Sequence, residues 1–139
     1  MISGQSPVGL DIYELNLETD ELKRLTETLN DWDEHAHYSP DGKKIAWMSS
    51  TGFDIEWGDI SGHNWQKYLI TELWIMDADG SNKQRLTYFN EPGYPEYMNG
   101  ARCVVSDSTW SPDGKKIAAL VAYETRWGNR AKIVIIEFE

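Results

Sequence analysis

With 139 residues, 40% of them apolar and 26% charged, the chain has the composition of one folded globular domain. A formal charge of −10 sets it against phosphate backbones and anionic lipid, and no apolar run approaches the ~18 residues that a membrane span needs. Nucleic acid and membrane insertion are therefore not expected, while seven Trp, seven Tyr and eleven Gly favour an all-β fold punctuated by turns.

The opening MISGQSPVGLD has neither the basic start nor the apolar run of a secretory leader, so no signal peptide is expected in it. The first predicted strands lie in DIYELNLETDELKRLT, residues 11–26, as two extended segments around a polar turn. Strands near 35–39 and 44–50 follow, joined through SPDGKK. There Pro40 presets φ at the first central position, Asp41 tolerates the second, and Gly42 supplies a left-handed residue that leads into the next strand. After an insertion at 51–70, a strand at 71–77 turns through Asp77-Ala78-Asp79-Gly80 into another at 84–89. A second insertion, 90–107, precedes a strand ending at Trp110, a second SPDGKK turn, the strand IAALVA, and a last strand in KIVIIEFE at 132–139. The total is nine strands.

These elements repeat. YSPDGKKIAW returns as WSPDGKKIAA 72 positions later, and DIYELNLETDELKRLT aligns without gaps on ELWIMDADGSNKQRLT at a displacement of 61. Two hairpin types thus alternate, and the complete copy has four strands, A to D. IAWM, ELWIM, IAALVA and KIVII are apolar at consecutive positions, the texture of sheets covered on both faces. Gly, Asp and Asn between them leave no room for the helical crossovers of a parallel sheet. Stacked antiparallel sheets are expected.

SPDGKKIA followed by ELWIMDADGSNKQRLT resembles the WD40-like repeat of TolB-type bacterial propellers. The resemblance covers most of the chain outside the two insertions. It implies a partial β-propeller of four-stranded antiparallel blades, about two and a quarter of them, with strand A nearest a central channel. Residues 11–29 would be the last two strands of one blade, 34–89 a complete blade, and 106–139 the first three strands of another. A closed ring takes at least ~4 blades, so the rest of a larger propeller, or self-association, would have to complete it. The resemblance also implies a periplasmic or extracellular setting and a non-catalytic binding or scaffold role toward a protein or peptide. The alternative is the propeller portion of a prolyl-oligopeptidase-type serine hydrolase whose catalytic domain lies outside this chain.

Among candidate sites, His35 and His37 lie two apart on an extended strand and so face one side, the geometry of a weak metal site, although no third ligand is identifiable. Asp77-x-Asp79-Gly80 opens like a calcium loop, but no Glu closes it. The lone Cys103 reads as a small buried apolar group. Ser39 and Ser111 belong to turns, and GxSxG is absent, so no catalytic constellation and no cofactor are expected. The insertions carry the anchor residues usual at interfaces: Phe53, Trp57, Trp65 and Tyr68 in the first, and Tyr94, Tyr97 and Arg102 in the second. Their acidic neighbours Asp54, Glu56, Asp59 and Glu96 favour a basic or polar partner.

Overall fold

The structure, a computed structural model, describes residues 1–6, 9–55 and 68–138. Among the described residues it is all-β, with three antiparallel sheets. The first contains β1 (Ile2–Ser6), β2 (Gly9–Leu15) and β3 (Leu22–Arg24). The second runs β4 (Asp33–Tyr38), β5 (Lys44–Ser49), β6 (Glu72–Asp77) and β7 (Gln84–Arg85) in chain order. The third holds β8 (Cys103–Trp110), β9 (Lys116–Thr125) and β10 (Gly128–Glu137).

The middle sheet is sandwiched. Ile45, Trp47 and Met76 pack against Ile12 and Leu25 of the first sheet and its following segment, whereas Ala46 and Leu73 pack against Val105, Ile117, Ala119 and Val121 of the third. Alternate residues of one strand thus enter two different cores, which is why IAWM is apolar throughout. Among the described residues the outer sheets have only one covered face each. Leu120, Ile133 and Ile135 are exposed on the outer face of the third, although the sequence texture predicts cover on both sides.

Among the described residues ten strands replace the expected nine. Ile2–Ser6, which lacks a β-rich pattern, is held by its ladder with β2, where Gly4 lets the Tyr13 ring approach: a Cβ there would lie 3.0 Å from that ring. The strand predicted at 84–89 shrinks to Gln84–Arg85 because the Thr87 hydroxyl, 2.9 Å from the Leu73 amide, takes the place of a ladder carbonyl. Thr26 does the same for the Ile12 amide, also at 2.9 Å, and β3 likewise stops early. The third sheet is larger than predicted: β8 starts at Cys103, and β9 and β10 form a long hairpin across Arg126 and Trp127.

Both SPDGKK copies form the same turn. Gly42 and Gly114 each have φ of +71°, and each donates its amide to the preceding Ser carbonyl at 2.9 Å. Ser39 Oγ donates to Asp41 at 2.7 Å and accepts the Lys44 amide at 3.0 Å, while Ser111 repeats this with Asp113 and Lys116 at 2.5 and 2.9 Å. The bond from the Ser hydroxyl, followed by the Lys43 or Lys115 amide donating to the same carboxylate at 3.1 Å, holds each Asp side chain below the usual carboxylate range. No atom lies within 4 Å of a Cβ built on Gly42, so Gly42→Val tests the backbone alone. It is expected to lower stability by about 1–2 kcal/mol in urea titration, the cost of a left-handed L-residue. An unchanged midpoint would contradict the turn assignment.

Candidate functional site

Within one antiparallel sheet the chain leaves β5 and β7 at the same end, so both insertions start from one end of the middle sheet. Trp57 and Trp65 lie outside the described residues. Phe53 and Tyr94 converge on two residues that inspection of the insertions alone overlooks, Arg85 and Tyr88. The Arg85 guanidinium sits 5.1 Å from the Phe53 ring centre and 4.4 Å from that of Tyr88, and Tyr88 stacks on Tyr94 at 3.9 Å with the planes 3° apart. Cation–π contact and ring stacking therefore build one continuous aromatic surface.

Its foundation is a buried carboxylate. Glu72, at the start of β6, accepts from Arg85 Nη2 at 3.2 Å, from Thr87 Oγ1 at 2.6 Å, and from the Asn90 amide at 2.9 Å. Arg85 also pairs with Glu91 at 2.8 Å and donates Nε–H to the Thr87 carbonyl at 2.8 Å. Asn90 ties the end of the sheet to the next one, accepting the Cys103 amide at 2.7 Å. The first sheet carries the same arrangement in Asp11, Arg24 and Thr26, with Arg24 Nη2 2.5 Å from Asp11 Oδ2. The gap-free alignment of the two copies puts Asp11 on Glu72, Arg24 on Arg85 and Thr26 on Thr87. That alignment was the signal for Arg85.

The second insertion is tightly turned. The Glu91, Tyr97 and Ala101 amides donate to the Tyr88, Tyr94 and Met98 carbonyls at 3.2, 3.1 and 3.0 Å, which fixes the loop that presents Tyr94. Tyr94 itself is 41% exposed. Tyr97 is half-buried, with its hydroxyl beside Gly100. Arg102 is outside the aromatic group and pairs with Glu124 of β9 at 2.7 Å. Tyr68 is half-buried just ahead of the buried Leu69.

The histidine pair lies on β4, at a register break between Glu34 and His37 where His35 adopts φ of +54°. Both imidazoles reach Asp107 of β8, at 3.9 Å for His35 Nδ1 and 3.4 Å for His37 Nε2. Asp107 sits at the matching break in the third sheet, between Val105 and Ser108. Asp33 is engaged elsewhere, accepting from Trp47 Nε1 at 3.1 Å and from Thr28 at 3.0 Å. Among the described residues no three His, Cys, Asp or Glu side chains form a set that could hold a metal. A cleft of about 170 Å³ beside His35 is lined by Trp32, Glu34, Met48, Leu69, Val104 and Ser106. Cys103 is buried, and burial together with the nearby Glu72 charge pushes its thiol up to about 11, so little reactive thiolate forms at neutral pH.

No family model and no curated protein matches the chain.

Proposed function

We propose that the chain is part of a β-propeller of WD40-like, TolB-type repeats and acts as a non-catalytic module that binds a protein or peptide. One observation carries the structural half of this reading: repeat-equivalent residues recur at equivalent places in successive sheets that stack face to face. Ser39 and Ser111, Thr26 and Thr87, and Asp11 and Glu72 are such pairs. Radial blades are built from such repetition.

The binding half rests on the Phe53, Tyr88 and Tyr94 surface. Rigid aromatic rings lose little conformational entropy on binding, and here Arg85, Glu72 and Glu91 already fix them. The negative charge of the chain and the nearby Asp54 and Glu96 favour a peptide with basic residues. Selection from a displayed random-peptide library tests the proposal. Enriched peptides should carry Lys or Arg and should bind about tenfold or more weakly to Tyr94→Ala, the loss expected of a central aromatic anchor. Failure to enrich any peptide, or binding indifferent to Tyr94, would remove this surface as the site.

A further inference from the structure

We propose that the cleft beside His35 binds an alkylammonium group, and that its natural guest is the lysine side chain of a bound peptide. The second half rests on the peptide-binding reading above. The first stands on the cleft alone.

The cleft forms where two copies of the repeat meet and differ. The copies are identical over SPDGKKIA, but ahead of that turn Glu34 and His35 of one copy correspond to Ser106 and Asp107 of the other, each 72 positions from its counterpart. Glu34, His35 and Ser106 all line the cleft. In a regular strand Glu34 and His35 would point to opposite faces. The register break after Glu34 and the φ of +54° at His35 bring both to one side.

Apolar side chains form the body of the cleft. Met48, Leu69 and Val104 are each no more than 6% exposed, and Trp32 packs against them. Glu34 is the register partner of Met48 and stands beside this cluster. Its Oε2 accepts the Trp32 indole N–H at 2.7 Å and lies 3.9 Å from His35 Nε2, while among the described residues Oε1 has no hydrogen-bond or ion partner. The Glu34 side chain keeps 31% of its surface exposed, so a guest can reach that oxygen.

These features select the guest. A carboxylate beside an apolar wall calls for a cation on an apolar stem, and Asp107, 3.9 Å from His35 Nδ1, adds a second negative charge that disfavours an anion. A single open oxygen suits the compact ammonium of lysine, since the arginine fork makes its paired bonds to two acceptor oxygens. The Ser106 hydroxyl offers a further acceptor for the ammonium hydrogens. The volume agrees: the cleft of about 170 Å³ is close to the ~150 Å³ of a cavity that holds benzene, and butylammonium has nearly as many heavy atoms. The cleft also lies at the same end of the middle sheet as Phe53, Tyr88 and Tyr94, because β4 and β6 start there and β5 and β7 end there. From β4 to β7 is three strand spacings, about 14 Å, which roughly five extended peptide residues span.

NMR of methyl-labelled methionine tests this through Met48, whose resonance Met48→Leu assigns. n-Butylammonium chloride should shift it saturably with a Kd of about 1 mM, the scale for so small a ligand. n-Butanol, with the same stem and no charge, should bind about tenfold or more weakly, and Glu34→Gln should weaken butylammonium by the same factor while leaving n-butanol unchanged. Nα-acetyl-lysine N-methylamide should compete for the site. No saturable shift, equal binding of n-butanol, or indifference to Glu34→Gln overturns the proposal. A site that takes butylammonium but not the lysine amide accepts free amines only and overturns the peptide half. Peptides enriched on the intact protein should lose affinity about tenfold with Glu34→Gln. Peptide binding that depends on Tyr94 and not on Glu34 would remove this cleft and leave the aromatic surface standing. Butylammonium binding to a protein that enriches no peptide would do the reverse.

Discussion

Glu72→Ala is expected to destabilise the protein by about 3–5 kcal/mol, the cost of breaking a buried ion pair from one side. The carboxylate is fully buried, and the Arg85 side chain that it neutralises is only 13% exposed. Removing it strips the guanidinium of one of its two carboxylate partners and leaves the Asn90 amide and the Thr87 hydroxyl without their acceptor. Glu72→Gln keeps an acceptor but removes the charge, so it should cost less, about 1–3 kcal/mol. Asp11→Ala breaks the equivalent pair in the first sheet, where Arg24 is more open to water, and it should cost less than Glu72→Ala. Urea unfolding with an unchanged slope measures all three. A loss below about 1 kcal/mol for Glu72→Ala would show that Arg85 is solvated and that the network contributes little. The same variant should loosen Phe53 and Tyr88, because both rings rest on the guanidinium that Glu72 holds.

The all-β architecture and the hairpins were legible because local chemistry dictates them. A Gly forced to positive φ after Pro and Asp makes a turn wherever it occurs, and 72 residues apart it makes the same turn twice. Strand ends were less legible, since a threonine hydroxyl that substitutes for a ladder carbonyl looks, in sequence, like one more strand residue. β1 was not legible at all: ISGQS is a strand because β2 offers it an edge, a tertiary cause with no local signature. The sites divide in the same way. Phe53 and Tyr94 were visible as aromatic residues of the insertions, but Arg85 looked like ordinary strand surface until its alignment with Arg24 placed both opposite buried acids. His35 and His37 were visible as a pair, while Asp107, which both approach, comes from a strand about 70 residues away.

The repeats also explain what differs between copies. Trp47 of the middle sheet corresponds to Ala119 of the third, so the two inter-sheet cores have different volumes at one equivalent position. Among the described residues, Phe89, Trp110, Val134 and Ile136 take the space around Ala119, whereas the first sheet and its following segment contribute Ile12 and Leu25 around Trp47. Trp47 is thus the largest buried side chain of a core that Ile45, Met76, Ala36 and Trp74 of its own sheet also line.

Trp47→Ala is accordingly expected to cost about 3–5 kcal/mol, through lost transfer energy and the cavity left between Ile12, Leu25, Ile45 and Met76. The indole N–H adds a second effect that Trp47→Phe isolates. Asp33 is buried, and burial pushes its pKa up; bonds from Ser49, Thr26, Trp47 and Thr28 act in the opposite direction. A carboxyl with a raised folded-state pKa favours folding most when protonated, and that contribution is lost as the pH rises through the folded value. Removing the Trp47 donor raises the Asp33 pKa further. The destabilisation by Trp47→Phe should therefore be largest at neutral pH and shrink as the pH falls through the Asp33 value, where the neutral carboxyl no longer needs that donor. Unfolding titrations of both proteins from neutral to acid pH measure the difference. A pH-independent gap would assign the whole effect to packing, and a gap that widened in acid would reverse the sign of the coupling between Trp47 and Asp33.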